Sequence, residues 1–362
     1  MKDRILSVDI FRGMTIVLMI LVNTPGTWSS VYAPLLHAEW HGYTPTDLVF
    51  PFFLFIVGTS IVFAYQHKKP SAAIYRKITV RSLKLIALGL FLGAFTVSAP
   101  FIKEFSSIRF PGVLQRIGIV FFVAAVLFLN INCKKLIGVT IVVLIGYWLM
   151  MTVIPVEGEP STLQRAPNNL ANYLDVTLLG SHTWKPDYDP EGLLSTIPAI
   201  ASALLGLFTG LILRSRQEKK ATILFGLGGA LLIIGHLWDI VFPINKALWT
   251  SSFVLVTAGW ANVVLALIYY LTDIKKIRFG SIFRYAGANA IVVYFLSSFI
   301  SKLFYSIKVD GETSIHGWLF NTIYVQDFFS MQMSSLLYGL TVVSFYCLVA
   351  YVLWKRKIFI KV

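Results

Sequence analysis

Residues 47–66 read DLVFPFFLFIVGTSIVFAYQ and contain a single charged side chain, that of Asp47, at their first position. An α-helix needs roughly 20 mostly apolar residues to cross a bilayer, and backbone groups in lipid must be bonded within the segment. The apolar residues run on continuously instead of alternating with polar ones, which disfavours a strand of a β-barrel. We therefore predict a transmembrane helix over residues 47–66.

Similar apolar stretches lie along the whole chain of 362 residues. The chain is 57% hydrophobic and 13% charged, with a mean hydropathy of +0.74, whereas soluble domains are about 45–50% apolar and about 25% charged. These values exclude a soluble globule, a disordered chain and a fibrous repeat. We predict an all-α, polytopic membrane helix bundle that forms a single domain over residues 1–362. About ten transmembrane helices are expected, at residues 10–28, 47–66, 78–99, 113–131, 136–155, 193–214, 221–241, 250–272, 284–303 and 333–354.

The net charge of +14 becomes informative once the charged residues are sorted by connection. If both termini and the even-numbered loops share one side, that side holds 23 of the 31 basic residues, among them Lys2, Arg4 and Lys361, against four acidic ones. Its net charge is +19, and that of the other side, with 8 basic and 13 acidic residues, is −5. Because basic loops mark the cytoplasmic side, we predict that both termini are cytoplasmic and that nucleic acid is not a partner.

The longer connections, at 29–46, 156–192 and 304–332, fall on the predicted extracytoplasmic side. Functional residues concentrate on loops that a rigid scaffold holds, so we expect the substrate to meet the protein there. Cys133 and Cys347 show neither a CxxC pattern nor the spacing of metal ligands. We therefore predict neither a disulfide framework nor a metal site.

Asp9 and Arg12 are ionisable residues at the start of the first predicted span. Their spacing of i, i+3 puts them on one face of a helix, where they can pair. One interpretation is a self-neutralising pair at the cytoplasmic boundary, with Arg12 reaching toward water. The other is an anion-binding site at the cytoplasmic mouth of the bundle, since charges at membrane depth are costly and mostly functional.

His37 lies in the loop between the first two spans, where neither a helix cap nor a core position requires a histidine. A neutral imidazole is the common general base near pH 7, and a carboxylate such as Asp47 or Glu39 could orient it. The alternative is an ordinary surface histidine, and His41 has the same two interpretations. Asp47 also has a structural explanation, because residues 44–47 (TPTD) form a capping box that begins at Thr44.

Gln115 and Arg116 lie about one turn into the fourth predicted span, where Arg116 needs a partner. A structural pairing is the simpler interpretation, and an anionic ligand or a polar acyl group is the alternative. Asn289 is a polar residue inside the ninth predicted span. Gly206 and Gly210, at i, i+4, favour close helix packing over ligand contact.

Several short blocks of this sequence, taken together, resemble the family of heparan-alpha-glucosaminide N-acetyltransferase and its bacterial relatives. Each block alone is weakly specific, but they follow the family's order between residue 7 and about residue 300. The blocks are residues 7–13 (SVDIFRG), 22–23 (VN), 37–42 (HAEWHG), 47–53 (DLVFPFF), 112–116 (GVLQR), 191–197 (EGLLSTI) and 243–246 (PINK).

The resemblance implies transfer of acetyl from cytosolic acetyl-CoA to an amino sugar or glycan on the far side of a membrane, here a bacterial inner membrane. It makes His37 the active-site histidine and Asn23 its neighbouring asparagine, with Asp47 orienting His37, and it makes His41 incidental. We expect the residues that bind acetyl-CoA to be Asp9, Arg12, Gln115, Arg116 and Asn289. We expect membrane lipid to surround the protein, and a homodimer is compatible with this interpretation.

Two other functions fit the sequence as well. A transporter or flippase for a sugar or lipid-linked precursor would also use about ten helices with buried Arg12 and Arg116. An O-acyltransferase acting on an envelope polysaccharide would use related chemistry with a hydroxyl acceptor. Both direct transfer and transfer through an acetyl-histidine remain open at this point.

Overall fold

Helices make up the regular structure of residues 5–360, the part of the chain that the computed structural model describes, and within it there are isolated β-bridges but no strand. The all-α prediction is therefore confirmed; Lys2, Arg4 and Lys361 of the charge count lie outside these residues. The α-helices are α1 (Leu6–Asn23), α2 (Val49–Tyr65), α3 (Ala72–Ala94), α4 (Val113–Asn130), α5 (Cys133–Val153), α6 (Leu170–Leu179), α7 (Thr196–Arg214), α8 (Lys220–Asp239), α9 (Ser251–Tyr269), α10 (Ser281–Ala288), α11 (Ala290–Ser306), α12 (Ile315–Leu319) and α13 (Met331–Lys355).

Six shorter helical segments extend or link these helices. Four are 3₁₀ turns, at Ala33–Leu35, Pro45–Leu48, Phe105–Ser107 and Gly180–His182, and two are π-helical, at Tyr270–Ile274 and Phe320–Tyr324. The turn at Pro45–Leu48 leads directly into α2, and the one at Tyr270–Ile274 continues α9. Both lengthen a span that is already apolar.

Eight helices in the described residues are long and apolar enough to cross a membrane, which confirms a polytopic helical membrane protein. They are α1, α2 with its leading turn, α4, α5, α7, α8, α9 with its π-helical end, and α13. The pair α10 and α11 could form a ninth span, but it is bent by 83°. Helix α3 is also long, yet it carries Arg76, Lys77, Arg81 and Lys84. The count of ten spans stays a prediction.

Two predicted spans differ in detail from the observed helices. The first, predicted at 10–28, is the helix Leu6–Asn23, because Pro25 disfavours helical backbone at Thr24. The ninth, predicted as one run over 284–303, is broken at Asn289. The side chain of Asn289 donates to the carbonyl of Ile358 and accepts from the N–H of Ile360, each at 3.0 Å, so it bonds the C-terminal segment at the break.

Glycines allow the central helices to pack closely, as predicted for Gly206 and Gly210. A Cβ added to Gly206 would collide with the backbone of Phe55 on α2, and one added to Gly58 would collide with that of Ala203 on α7. Thr59 donates a hydrogen bond of 2.8 Å to the carbonyl of Gly206 across the same contact. Close backbone approach is a principal source of helix association in lipid, where hydrophobic burial contributes little.

Five connections between helices meet at the end of the bundle where α2 begins. Four hydrogen bonds join them: the backbone N–H of Gly42 donates to Ile244, the Trp40 indole to Leu163, the backbone N–H of Phe110 to His182, and the His316 imidazole bonds the carbonyl of Gly26. We call this end the His37 face and define it by residues 24–48, 95–112, 154–195, 240–250 and 307–330. The opposite end, with residues 66–71, 131–132, 215–219, 275–280 and 356–360, is the basic face.

Candidate functional site

The start of α2 is built around the carboxylate of Asp47, and the predicted capping box is present. Oδ2 of Asp47 accepts hydrogen bonds from the backbone N–H groups of Thr44 and Ala38, each at 3.0 Å. The Thr44 hydroxyl donates to the carbonyl of Leu36 at 2.6 Å. These bonds fold the loop that carries His37 back onto the beginning of α2.

His37 and Asp47 form a hydrogen-bonded pair. Nδ1 of His37 lies 2.7 Å from Oδ1 of Asp47, and the side chain of Asp47 is 1% exposed whereas that of His37 is 46% exposed. The buried carboxylate of Asp47 acts as the acceptor, so Nδ1 of His37 carries a hydrogen and donates a hydrogen bond to Asp47. The other ring nitrogen, Nε2, is then left with a free lone pair.

Lys246 is the third member of this cluster, and it was named at the sequence level only as part of a block. Its Nζ lies 3.3 Å from Oδ1 of Asp47, 2.9 Å from Nδ1 of His37 and 3.3 Å from Nε2. A donor in line with one ring nitrogen would lie much farther from the other, so the ammonium group sits beside the imidazole. Burial lowers the pKa of Lys246, against the opposing effect of the Asp47 and Glu191 carboxylates.

A tight turn between α8 and α9 positions Lys246. The side chain of Asn245 accepts from the N–H of Leu248 at 2.8 Å, and the backbone N–H of Asn245 donates to the Thr250 hydroxyl at 3.0 Å. Asn245 and Thr250 are both fully buried. The turn is thus held by buried bonds; the sequence predicts a tight turn over residues 238–250, whereas it singles out Lys246 only as part of the block at residues 243–246.

Neither Asn23 nor His41 forms a hydrogen bond with His37 in the described residues. Asn23 is the last residue of α1; its side chain is exposed and makes no hydrogen bond with residues 5–360. Nδ1 of His41 lies 3.4 Å from the side-chain nitrogen of Asn245, and burial lowers the pKa of His41. The role predicted for Asn23 stays a prediction.

Arg116 is 1% exposed and has no carboxylate at bonding distance in the described residues. Its Nη2 donates to the Ser195 hydroxyl at 2.5 Å and to the carbonyl of Gly192 at 3.2 Å, and its guanidinium lies 4.9 Å from the ring centre of Trp249. Nε and Nη1 have no partner among residues 5–360. The pairing predicted for Arg116 is therefore to a hydroxyl, a carbonyl and an aromatic ring.

Buried carboxylates lie near Arg116 on the His37 face. Arg109 bonds Asp189 and Glu191, with Nη2 2.5 Å from a carboxylate oxygen of each. Burial alone would raise the pKa of Glu191, but the charges of Arg109 and Arg116 outweigh it and the pKa is lowered. The same positive charges and that of Lys246 act on Glu191 together, so it belongs electrostatically to the His37 cluster.

A cavity of about 820 Å³ opens at the basic face. Its wall is formed by α1, α2, α3, α4, the break between α10 and α11, and Ile360. Six basic side chains contribute to it, namely Arg12, Lys68, Arg76, Lys77, Arg81 and Lys84. The size is within the range of ligand pockets, about 300–1,000 Å³.

The cavity contains only part of the residue set predicted to bind acetyl-CoA. Arg12 and Asn289 line it, and Arg12 donates to the Ser60 hydroxyl at 2.7 Å. Asp9 lies 3.4 Å from Arg12, as predicted from their spacing, but is not in the wall. Gln115 and Arg116 are not in the wall either; Gln115 donates to the carbonyl of Phe110 at 3.1 Å and packs against two glycines.

Helix α2 links the cavity to the His37 cluster. The cavity wall follows α2 from Tyr65 to Phe53. Phe53 is six residues beyond Asp47, a rise of about 9 Å along a helix. The end of the cavity wall at Phe53 is therefore about 9 Å along the helix from Asp47, the residue that bonds His37.

The family profile described as "Heparan-alpha-glucosaminide N-acetyltransferase, catalytic" matches residues 4–238 of the chain. The chain belongs to this acetyltransferase family. Two curated relatives, both named heparan-alpha-glucosaminide N-acetyltransferase, are each 30% identical to it: the Mus musculus protein over 99% of the chain and the Homo sapiens protein over 100%. The chain spans about 60% of the length of these relatives, 61% and 60% respectively.

The His37 cluster and most of the basic cavity fall within the part of the chain that the heparan-alpha-glucosaminide N-acetyltransferase profile matches. His37, Asp47 and the basic side chains of α1, α2 and α3 lie inside residues 4–238, whereas Lys246 and Asn289 lie outside. The relatives, which extend over nearly the whole chain, cover these two as well. Membership supports acyltransferase chemistry and an integral membrane protein at the level of the family.

Proposed function

We propose that the chain transfers acetyl from acetyl-CoA in the cytoplasm to an amino sugar of the glucosamine type on the other side of a bacterial inner membrane. The observation that carries this proposal is the basic cavity, whose wall follows α2 toward the His37–Asp47–Lys246 cluster. Acetyl-CoA is strongly anionic and does not cross lipid. A protein that binds it at one face and presents its thioester near the other avoids moving it across.

The residues of the cavity fit the phosphates of acetyl-CoA. Arginine and lysine form charge-assisted hydrogen bonds to phosphate, and six such side chains line the wall. Apolar residues of α2 and α4, including Phe53 and Ile117, line the part nearer the His37 cluster and suit the less polar arm of the molecule. In this arrangement acetyl-CoA supplies the acetyl thioester, and the side chains of the protein hold its charged end.

The proposed chemistry begins at Nε2 of His37, which has a free lone pair because Nδ1 donates to Asp47. Nε2 accepts the proton of the acceptor amine as the amine nitrogen bonds the carbonyl carbon of the thioester. The carbon–sulfur bond then breaks, and His37 returns the proton to the departing sulfur. The Lys246 ammonium, 3.3 Å from Nε2, stabilises the oxygen that becomes negative during the attack. Asn23 is proposed to position the acetyl group.

We propose direct transfer because it requires His37 only to accept and return a proton at Nε2, without a covalent intermediate on the protein. In the alternative, Nε2 would itself take the acetyl group before the amine arrives. Incubating the protein with acetyl-CoA alone and measuring its intact mass separates the two routes, since only the second gives a protein heavier by one acetyl group.

The activity test uses purified protein with acetyl-CoA and glucosamine, with release of CoA and formation of N-acetylglucosamine measured. Replacing His37 by Ala should lower kcat by about 10²–10⁴-fold, the usual contribution of a general base. His37 is substantially exposed, so its replacement should leave the melting temperature unchanged. His67→Ala, at an exposed position on the basic face, is the matched control.

Three results would contradict the proposal. Full activity of His37→Ala would remove its role as base. Uptake of glucosamine into vesicles without acetyl-CoA consumption would favour a transporter. A product acetylated on oxygen, identified by mass spectrometry and alkaline lability, would favour an O-acyltransferase.

A further inference from the structure

The chain that follows α13 turns back toward the cavity of the basic face. Helix α13 ends in a Schellman motif, in which the N–H of Ile358 donates to the carbonyl of Leu353 at 2.9 Å. The second bond of the motif runs from the N–H of Lys357 to the carbonyl of Trp354, at 3.0 Å. Lys357 adopts the left-handed backbone conformation that the motif requires, with a φ of 57°. The turn directs residues 358–360 toward the break between α10 and α11.

Asn289, at this break, bonds the returning segment with both groups of its side-chain amide. The nitrogen donates to the carbonyl of Ile358 and the oxygen accepts from the N–H of Ile360, each at 3.0 Å. Asn289 is only 2% exposed. The two bonds satisfy backbone groups of the segment as a neighbouring strand would. The amide of Asn289 therefore acts on the cavity through the segment that it bonds.

The bonds to Asn289 place Ile360 in the wall of the basic cavity. Its side chain is 50% exposed, and the wall also includes residues 287–291, at the break itself. Ile358 and Phe359, which precede it, do not line the cavity. The bend of 83° between α10 and α11 and the segment bonded to it thus form one side of the cavity.

This side of the cavity lies at the end of the bundle where α3 begins. Arg76 and Lys77 are in the first two turns of α3, whereas Lys84 lies about 10 Å farther along the helix. A phosphate that enters from the basic face therefore meets Arg76 and Lys77 first. Ile360, at the same end, adds an apolar surface to this charged mouth.

We propose that residues 358–360 complete the binding site for the nucleotide part of acetyl-CoA, and that Asn289 is the positioning residue that holds them there. This inference rests on the proposed function and specifies how the donor site is built at its mouth. Ile360 packs against the nucleotide and keeps water from its phosphates, which strengthens their ion pairs with lysine and arginine. The pantetheine arm, which follows α2 toward His37, lies beyond the reach of the segment.

The test compares acetyl-CoA with S-acetylpantetheine, which has the same thioester and arm but no nucleotide. With purified protein and glucosamine, Asn289→Ala should raise the KM for acetyl-CoA about tenfold and change kcat less than about threefold, because the two lost bonds release Ile360 from the wall. The KM for S-acetylpantetheine should rise far less. A merely structural defect would affect both donors alike.

Asn130→Ala is the matched control for Asn289→Ala. Asn130 ends α4 at the basic face, and its side chain also forms two hydrogen bonds, with the Tyr75 hydroxyl at 2.8 Å and the carbonyl of Val126 at 2.7 Å. Asn130 does not line the cavity. Its replacement should leave the KM for acetyl-CoA unaltered.

A second pair of variants tests the segment while Asn289 stays in place. Ile360→Asp puts a carboxylate into the cavity wall, whereas Phe359→Asp puts one at the neighbouring residue, outside the wall. The two residues are 50% and 47% exposed, so neither change should lower the melting temperature. Repulsion of the phosphates should raise the KM for acetyl-CoA about tenfold in Ile360→Asp and no more than about threefold in Phe359→Asp.

The outcomes separate this inference from the proposed function. An equal KM for acetyl-CoA in Ile360→Asp and Phe359→Asp would overturn the inference and leave the proposed function standing. An equal rise for both donors in Asn289→Ala would do the same, and the pair at 359 and 360 decides if Asn289→Ala does not fold. An unaltered protein that neither consumes acetyl-CoA nor binds CoA would overturn the proposed function and the inference with it.

Discussion

At the scale of single residues, the ammonium group of Lys246 has the position that decides how the cluster around His37 can act. It contacts both ring nitrogens of His37 and the carboxylate that orients the ring. Any substrate atom within hydrogen-bond reach of Nε2 is therefore close to a positive charge. The Lys246 side chain is only 19% exposed, so its charge is screened less than it would be in water and favours the developing negative oxygen more strongly.

Lys246→Met should lower kcat by about 10²–10³-fold with little change in the KM for acetyl-CoA, because it removes a donor that acts on the reacting oxygen. Lys246→Arg should recover part of this loss, since it keeps the charge. Lys185→Met is the control, because the side chain of this lysine on the same face forms no hydrogen bond or ion pair in the described residues. Steady-state kinetics of the three variants measure the effect, and an unchanged kcat in Lys246→Met would exclude the role.

Asp175 gives a prediction about stability and pH. Its carboxylate is buried on α6 and accepts from the N–H of Leu193 at 2.8 Å, and burial raises its pKa from 3.8 to about 6. Between these two values the folded chain keeps a proton that the unfolded chain has released. The free energy of unfolding therefore falls as pH rises from about 4 to about 6, and above that range the ionisation of Asp175 no longer changes it.

Asp175→Asn should remove this pH dependence, because the amide keeps an acceptor for Leu193 and does not ionise. The rise of the pKa to about 6 corresponds to about 3 kcal/mol at neutral pH, so the variant should melt at a higher temperature than the unaltered protein at pH 7.5 and at a similar one at pH 4. Asp327→Asn, at an exposed carboxylate, should change neither value. Parallel melting curves against pH for both proteins would contradict the assignment.

At the scale of elements, glycines determine how closely the helices approach. A Cβ on Gly13 of α1 would collide with the carbonyl of Phe283 on α10, and one on Gly287 of α10 would collide with that of Asp9. The two backbones are thus in direct contact beside Arg12 and the cavity wall. Because both colliding atoms belong to the backbone, no side-chain rotation can relieve the overlap.

Gly13→Ala should destabilise the protein by about 1–3 kcal/mol, the usual cost of overpacking, and should separate α1 from α10. Gly138→Ala is the control on α5, where nothing lies within 4 Å of an added Cβ, and it should be neutral or stabilising by about 0.5 kcal/mol. Melting temperatures in one detergent compare the two variants. Equal effects at both positions would show that the α1–α10 contact is more deformable than the structure indicates.

Predictions made from local sequence were most accurate for contacts between residues three positions apart. The capping box before α2 and the pairing of Asp9 with Arg12 were confirmed, because each depends on residues three apart. The break at Asn289 was missed, because the two hydrogen bonds of its side chain are formed with Ile358 and Ile360, about 70 positions away. Hydropathy reports whether a segment suits lipid and does not report where a distant segment bonds it.

At the scale of the whole molecule, six helices, α1 to α4 with α10 and α11, and Ile360 of the C-terminal segment combine to form the basic cavity. Helices α2 and α3 contribute most of its lining residues, and the positive charge is concentrated on α3, which faces the cavity with Arg76, Lys77, Arg81 and Lys84. This explains why α3 carries charges that an isolated membrane-spanning helix would not tolerate. Ionisable residues at membrane depth are retained when they line a polar cavity.

The double variant Arg76→Gln with Lys77→Gln should raise the KM for acetyl-CoA by roughly 10- to 100-fold with kcat nearly unchanged, because it removes two charge-assisted contacts to phosphate. It should also weaken the dependence of KM on salt. Lys134→Gln with Lys135→Gln removes the same charge from exposed positions at the basic end that do not line the cavity. Equal changes in KM for the two double variants would show that only the net charge of the face matters.

The sequence by itself determined the helical class, the membrane environment and the family, and it offered Asp47 or Glu39 as the partner of His37, of which the structure shows Asp47. These depend on hydropathy, charge and short-range hydrogen bonds, which residues close in the chain encode. Only the tertiary structure brought Lys246 to His37 across 209 positions and assembled one cavity from separate helices. The reason is that helix packing in lipid depends on close backbone contact at glycines and small residues along whole helices, which no single segment of the sequence specifies.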